Sequence, residues 1–170
     1  MRRASLLCAG LAVVLFTGCA GYQLGPTGGV SAGARSVQVN FFSNQTTEPR
    51  LIEAVNSALR KRLAQDGTFR LDTKGDGDVV VSGVITRFDR AGITFQPSDV
   101  ITVRDYNLGL TAQVKITERA TGKVLFDRAV SGRTTIRVGN DLSSAERQAV
   151  PLLAEDLARK ATALLVDGTW

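Results

Sequence analysis

The sequence predicts an α+β fold. It reads as a two-layer sandwich: a mixed four-stranded sheet covered on one face by two helices, in the order β-α-β-β-β-α. Three observations predict it. The stretch "TVRDYNLGLTAQVKITE" alternates apolar and polar residues along its length, as in a strand with one buried face. Two other stretches, one near residue 55 and one at the C-terminal end, repeat apolar residues at helical spacing. Short Gly/Asp-rich pieces punctuate the rest as turns.

In chain order, "RSVQVNFF" opens the domain, with Val37, Val39 and Phe41 alternating against polar neighbours. A helix follows, with Thr46 or Thr47 as its cap and Pro49 in its first turn. Leu51, Ile52, Val55, Ala58, Leu59 and Leu63 form its apolar face, and Gly67 ends it. A minor strand is expected at 68–72 and a long one over about 78–90, with a turn at Asp72 to Asp78. The first strand, helix and long strand make a parallel crossover. Residues 89–103 read as a loop. Then Tyr106, Leu108, Leu110, Ala112, Val114 and Ile116 point one way in the clearest strand. "RATGK" turns the chain, and a partner strand returns with Val124, Phe126 and Val130 in alternation. Ser143 and Glu146 suit a capping box for the last helix, whose apolar stripe is Val150, Leu153, Leu157, Ala161 and Leu164. Pro151 sits deep enough either to kink this helix or to mark its true start.

The N-terminal segment has another character. Met1-Arg2-Arg3 precedes an apolar run from Leu6 to Phe16, too short to span a bilayer as a helix, which takes roughly 20 residues. A basic start with a short apolar run has the form of a secretory signal peptide. It ends in Phe16-Thr17-Gly18-Cys19, which resembles the lipobox of bacterial lipoproteins, with Phe16 where leucine is usual. The resemblance implies cleavage before Cys19 and attachment of diacylglycerol and N-acyl lipid to it. The other reading is a plain signal peptide with an incidental cysteine. Cys8 would leave with the peptide, so the mature chain could form no internal disulfide. The division is then 1–18 signal peptide, 19–34 a flexible Gly-rich tether, and 35–168 the folded domain. Ala20 rather than aspartate follows the cysteine, which by the same resemblance favours the periplasmic face of the outer membrane.

The composition excludes much. Histidine is absent, which removes His-based triads and His metal sites; with so few cysteines, a zinc site is excluded too. The net charge of +5 falls to +3 once Arg2 and Arg3 leave, too small to argue for nucleic acid. Asp72 to Asp78 does not have EF-hand spacing and reads as a turn rather than a calcium loop. The carboxylate pairs Asp76 with Asp78 and Glu155 with Asp156 have no nucleophile beside them, so neither enzyme chemistry nor a metal or other cofactor is expected.

Across nearly its whole length the chain resembles the LptE family of lipopolysaccharide-assembly lipoproteins. The matching pieces are "CAGYQL", "VQVNFFSNQTTEPRLIEAVNSALRKRL", "DVVVSGVITRF", "RDYNLGLTAQVKITERATGKVLFDR" and "AERQAVPLLAEDLARKATALLV". The most specific features are F-x-N-x-T-x-E-P, Tyr106 and "TGKVLF" in that order. The resemblance implies an outer-membrane lipoprotein that plugs the β-barrel LptD, supports its assembly and helps deliver lipopolysaccharide to the cell surface. It also implies lipopolysaccharide binding through basic side chains, without catalysis. Candidates here are Arg87, Arg90 and Arg104 around the 89–103 loop, and Arg133 and Arg137 before the last helix. Arginine suits phosphate through its bidentate fork. Each could equally be a solvated strand-end charge. Ile93 and Phe95 could meet the barrel or a lipid chain. The competing reading is an accessory lipoprotein of another envelope lipid-transport complex. The first strand, as a possible exposed edge, could allow self-association.

Overall fold

The computed structural model describes residues 33–96, 99–139 and 141–168. The strands are β1 (Ser36–Val39), β2 (Ser43–Asn44), β3 (Arg70–Asp72), β4 (Val79–Gln96), β5 (Asp99–Glu118) and β6 (Val124–Arg137). The helices are α1 (Arg50–Asp66) and α2 (Leu142–Val166). They form a two-layer α+β sandwich, and both helices pack on one face of a mixed sheet. The sheet has six strands rather than four, in the order β3-β1-β4-β5-β6, with β2 also paired to β4. β1 runs parallel to both β3 and β4. It is therefore an interior strand, and the edge on that side is β3.

The register explains the core. Val81 faces Ile116, Ile85 faces Ala112, and Ala112 in turn faces Val130, all toward the helices. Leu108, Leu110, Ala112, Val114 and Ile116 are buried as their alternation requires, with Tyr106 half-buried at the end of the row. On β6, Val130 is buried and Phe126 half-buried, but Val124 is 46% exposed, beyond a register shift at Ile116/Thr117.

α1 buries Leu51, Val55, Ala58, Leu59 and Leu63, while Ile52 turns outward. Gly67, at φ 74°, closes the helix in a conformation that glycine adopts without a Cβ penalty. Neither Thr46 nor Thr47 caps its start, and no side chain does. Instead, Asn44 Oδ1 accepts from Thr46 N and Oγ1, and its Nδ2 donates to Glu48 O at 2.8 Å. The F-x-N-x-T-x-E-P segment is thus a hydrogen-bonded turn that leads into the helix. Phe42, its first residue, is buried in the core.

α2 is continuous through Pro151. Its cap is Asp141, not the Ser143/Glu146 box: the Asp141 carboxylate accepts from Ser143 N at 2.8 Å and Ser144 N at 2.9 Å. Glu146 is consequently free to face elsewhere. The buried stripe is Val150, Leu153, Leu157, Ala161 and Leu165, with Leu164 displaced to the surface. α2 also guards part of the outer edge of β6. Asp156 accepts from Arg133 N at 2.9 Å, and Lys160 Nζ donates to Ser131 O at 2.9 Å.

The largest departure from expectation is at 89–103. Its described part is not a loop: β4 continues to Gln96 and β5 begins at Asp99. β6 stops pairing at Arg137, opposite Asp105, so the distal hairpin is a two-stranded arm beyond the covered sheet. Ile93 and Phe95 on this arm are 49% and 50% exposed.

Candidate functional site

The five candidate arginines lie on β4, β5 and β6 toward the arm, but they are not equivalent. A bulge at Thr86 sets which face each of the two β4 arginines takes. Ile85 pairs with Ala112 and Arg87 with Thr111, so β4 carries one extra residue. Up to Ile85 the odd-numbered residues of β4 face the helices. Past the bulge the even-numbered ones do, with Phe88 opposite Leu110 and Arg90 opposite Leu108. Arg87 is thereby placed on the open face and Arg90 on the helix side.

On the open face Arg133 lies opposite Gly109, in the row beside Arg87 and Thr111. Arg137 lies further along, opposite Asp105. Its Nε donates to Asp105 Oδ1 at 2.9 Å. Asp105 also accepts from the Thr94 hydroxyl. The Thr94 bond and then the Arg137 bond hold the Asp105 carboxyl below its usual range, against a smaller desolvation effect. Arg104 is exposed on β5, and its carbonyl accepts from Val138 N at 2.8 Å. Arg90 Nε lies 2.5 Å from Glu146 Oε1. Among the described residues, the side chains of Arg87, Arg104 and Arg133 make no ion pair or hydrogen bond. The structure therefore divides the set into two guanidinium groups that are ion-paired and three that make no ion pair or hydrogen bond among the described residues, of which Arg104 still helps lower Asp105 by its charge.

Glu146 and the bulge were not read from the sequence. Glu146 resembled a capping residue, and a bulge leaves no mark in an alternating run. The exposed Phe41, with Arg60 stacked 4.8 Å from its ring centre, is a second surface feature that alternation assigned to the core. Cys19 and the whole 1–18 leader lie outside the described residues, as does most of the tether.

Two carboxylates of the 72–78 turn accept structural hydrogen bonds. Asp78 accepts from Ser36 N and Oγ, both at 2.7 Å, and Asp72 accepts from the Gly75 and Asp76 amides at 2.8 Å. These bonds hold the turn expected at Asp72 to Asp78. Among the described residues, no cluster of three potential metal ligands stands close enough to hold an ion.

Comparison with known proteins gives the fold and then the family. A hypothetical protein of Chlamydia trachomatis superposes with a TM-score of 0.57 at 10% identity, over 81% of this chain and 98% of that one. A Xanthomonas campestris protein gives 0.61 at 9% identity, over 86% and 92%. A putative lipoprotein from Caulobacter crescentus gives 0.52 at 12% identity, over 74% and 88%. At these identities the likeness is one of fold. No curated protein matches the sequence. The family profile described as LptE, lipopolysaccharide-assembly, matches residues 34–164, a span that takes in all the strands, both helices but the last residues of α2, and all five arginines. By that match the chain belongs to the LptE family of lipopolysaccharide-assembly proteins.

Proposed function

We propose that this chain is an outer-membrane lipoprotein, anchored on the periplasmic face through acylated Cys19, that plugs the LptD barrel and helps deliver lipopolysaccharide to the cell surface. The observation that carries the reading is the arm and what surrounds it. Ile93 and Phe95 expose apolar surface on the arm, and three arginines whose side chains make no ion pair or hydrogen bond among the described residues lie on β4, β5 and β6. Lipopolysaccharide offers the matching chemistry, acyl chains beside phosphates. Arg87, Arg104 and Arg133 would meet phosphate through charge-assisted, forked hydrogen bonds. A barrel lumen is polar-walled and would accommodate the open sheet face. One acyl chain holds a protein to a membrane only weakly, at about 0.8 kcal/mol per buried methylene, whereas two or more hold firmly. Catalysis forms no part of the proposal. Asp156 and Asp78 are taken up by structural hydrogen bonds, and Glu155 faces Lys61 on the helical surface.

The test is co-purification. The chain carries a C-terminal tag in its own host, and the outer membrane is solubilised gently. A single large β-barrel protein at equal stoichiometry is the expected result. No barrel, or an inner-membrane transporter in its place, would replace this reading with that of an accessory lipoprotein of another lipid-transport complex.

A further inference from the structure

Arg90 and Glu146 join the arm to the helical layer. Glu146 is only 8% exposed, and its Oε1 accepts no aligned hydrogen bond, so Arg90, 2.5 Å away, neutralises it by charge. A buried carboxylate without that cation would be left uncompensated. Arg90 also lies over the Phe88 ring, 5.4 Å from its centre. Just past this point the support ends. Residues 91–95 are all exposed, and β6 pairs no further than Asp105. A two-stranded hairpin is at best marginally stable alone in water, so its pose depends on how its base is gripped.

We propose that Arg90 is a positioning residue. It clamps the base of the arm to α2 through Glu146, and it leaves the anionic ligand to Arg87, Arg104 and Arg133. The part of this concerning the ligand rests on the function proposed above; the clamp itself does not.

Glu146→Gln separates the two roles because they predict opposite signs. If Arg90 were a ligand cation, releasing it from Glu146 would leave lipopolysaccharide binding unchanged or tighten it. If it is a clamp, Glu146→Gln weakens binding in the same direction as Arg90→Gln. The direct readout is amide exchange in the full chain, which reports local opening. Exchange at 91–96 and 99–105 rises about tenfold in both variants while the β5 core near Leu110 stays protected. Arg90→Lys, which keeps the charge, restores most of the protection lost in Arg90→Gln. If Glu146→Gln does not fold, the contrast between Arg90→Lys and Arg90→Gln decides alone, since Arg90 is itself nearly half exposed. Unchanged arm exchange in Glu146→Gln, or equal loss of protection in Arg90→Lys and Arg90→Gln, would overturn the clamp. Failure of the wild-type chain to bind purified lipopolysaccharide would overturn the ligand reading, and the exchange data would still judge the clamp.

Discussion

Gly132 shows how much one residue decides. A Cβ there would stand 2.6 Å from Leu153 O and 2.8 Å from Leu157 N, so only glycine lets α2 lie this close to β6. The same approach brings Asp156 and Lys160 onto the strand edge. Gly132→Ala should therefore push the helix outward and cost about 2 kcal/mol, read as a lower urea midpoint at constant slope. Charge acts at this scale too. Burial pushes the Asp156 carboxyl up, but the Lys160 hydrogen bond, the Arg133 amide and Arg159 together outweigh it, and the net position is lowered. Asp78, Asp105 and Asp141 are lowered as well, mainly by the hydrogen bonds they accept. Folding then weakens the proton affinity of all four. Their stabilisation is complete above an unfolded carboxyl pKa of about 4 and is lost as pH falls from there through the folded values. Urea midpoints measured from pH 7 to pH 3 should hold nearly level and then drop below about pH 4. Asp156→Asn should make that drop shallower. Some of these residues were readable in advance and some were not. Leu108 through Ile116 declared their burial by alternation, but Asp141 as cap, Leu165 in place of Leu164, and Glu146 as a buried partner depend on helix phase and on contacts distant in sequence.

Among the elements, β4 was the hardest to read. Its first half is apolar enough to declare itself. It was read as a strand as far as about Arg90, but 91–96 passed for a loop because residues 91–95 are exposed on both faces. Periodicity detects a strand only where one face is buried. The bulge at Thr86 compounds this by reversing the faces of everything that follows. Deleting Thr86 should restore unbroken alternation, turn Arg87 toward the helices and Arg90 away from them, and part Arg90 from Glu146. Faster amide exchange throughout the arm, with a lower urea midpoint, is the expected outcome. α1 was read nearly whole because its amphipathic spacing and Gly67 are local signals. Its start was misassigned because Asn44 organises the turn through side-chain bonds rather than by capping.

For the molecule as a whole, the order of helices and main strands was legible, and the resemblance to the family held over 34–164. The sheet's width was legible only in part: β3 falls within the minor strand expected at 68–72, whereas β2, of two residues, is too short to show a period. The sheet also sets a polarity. β1 enters beside Val79, at the opposite end of β4 from the arm, and an 18-residue strand spans about 60 Å. The end that leads back to Cys19 and the end with Ile93 and Phe95 are therefore far apart. Arg87, Arg104 and Arg133, which make no ion pair or side-chain hydrogen bond among the described residues, are proposed to take the anionic groups of lipopolysaccharide. Binding of purified lipopolysaccharide to the full chain tests it most directly, with the triple variant Arg87→Gln, Arg104→Gln, Arg133→Gln set against the exposed pair Arg62→Gln, Arg70→Gln. At least about a tenfold loss of affinity is expected in the triple variant, since hydrogen bonds to charged groups are worth roughly 1.5–3 kcal/mol each, and none in the control pair. Equal affinity of the triple variant and the wild type, with the arm still protected from exchange, would contradict it.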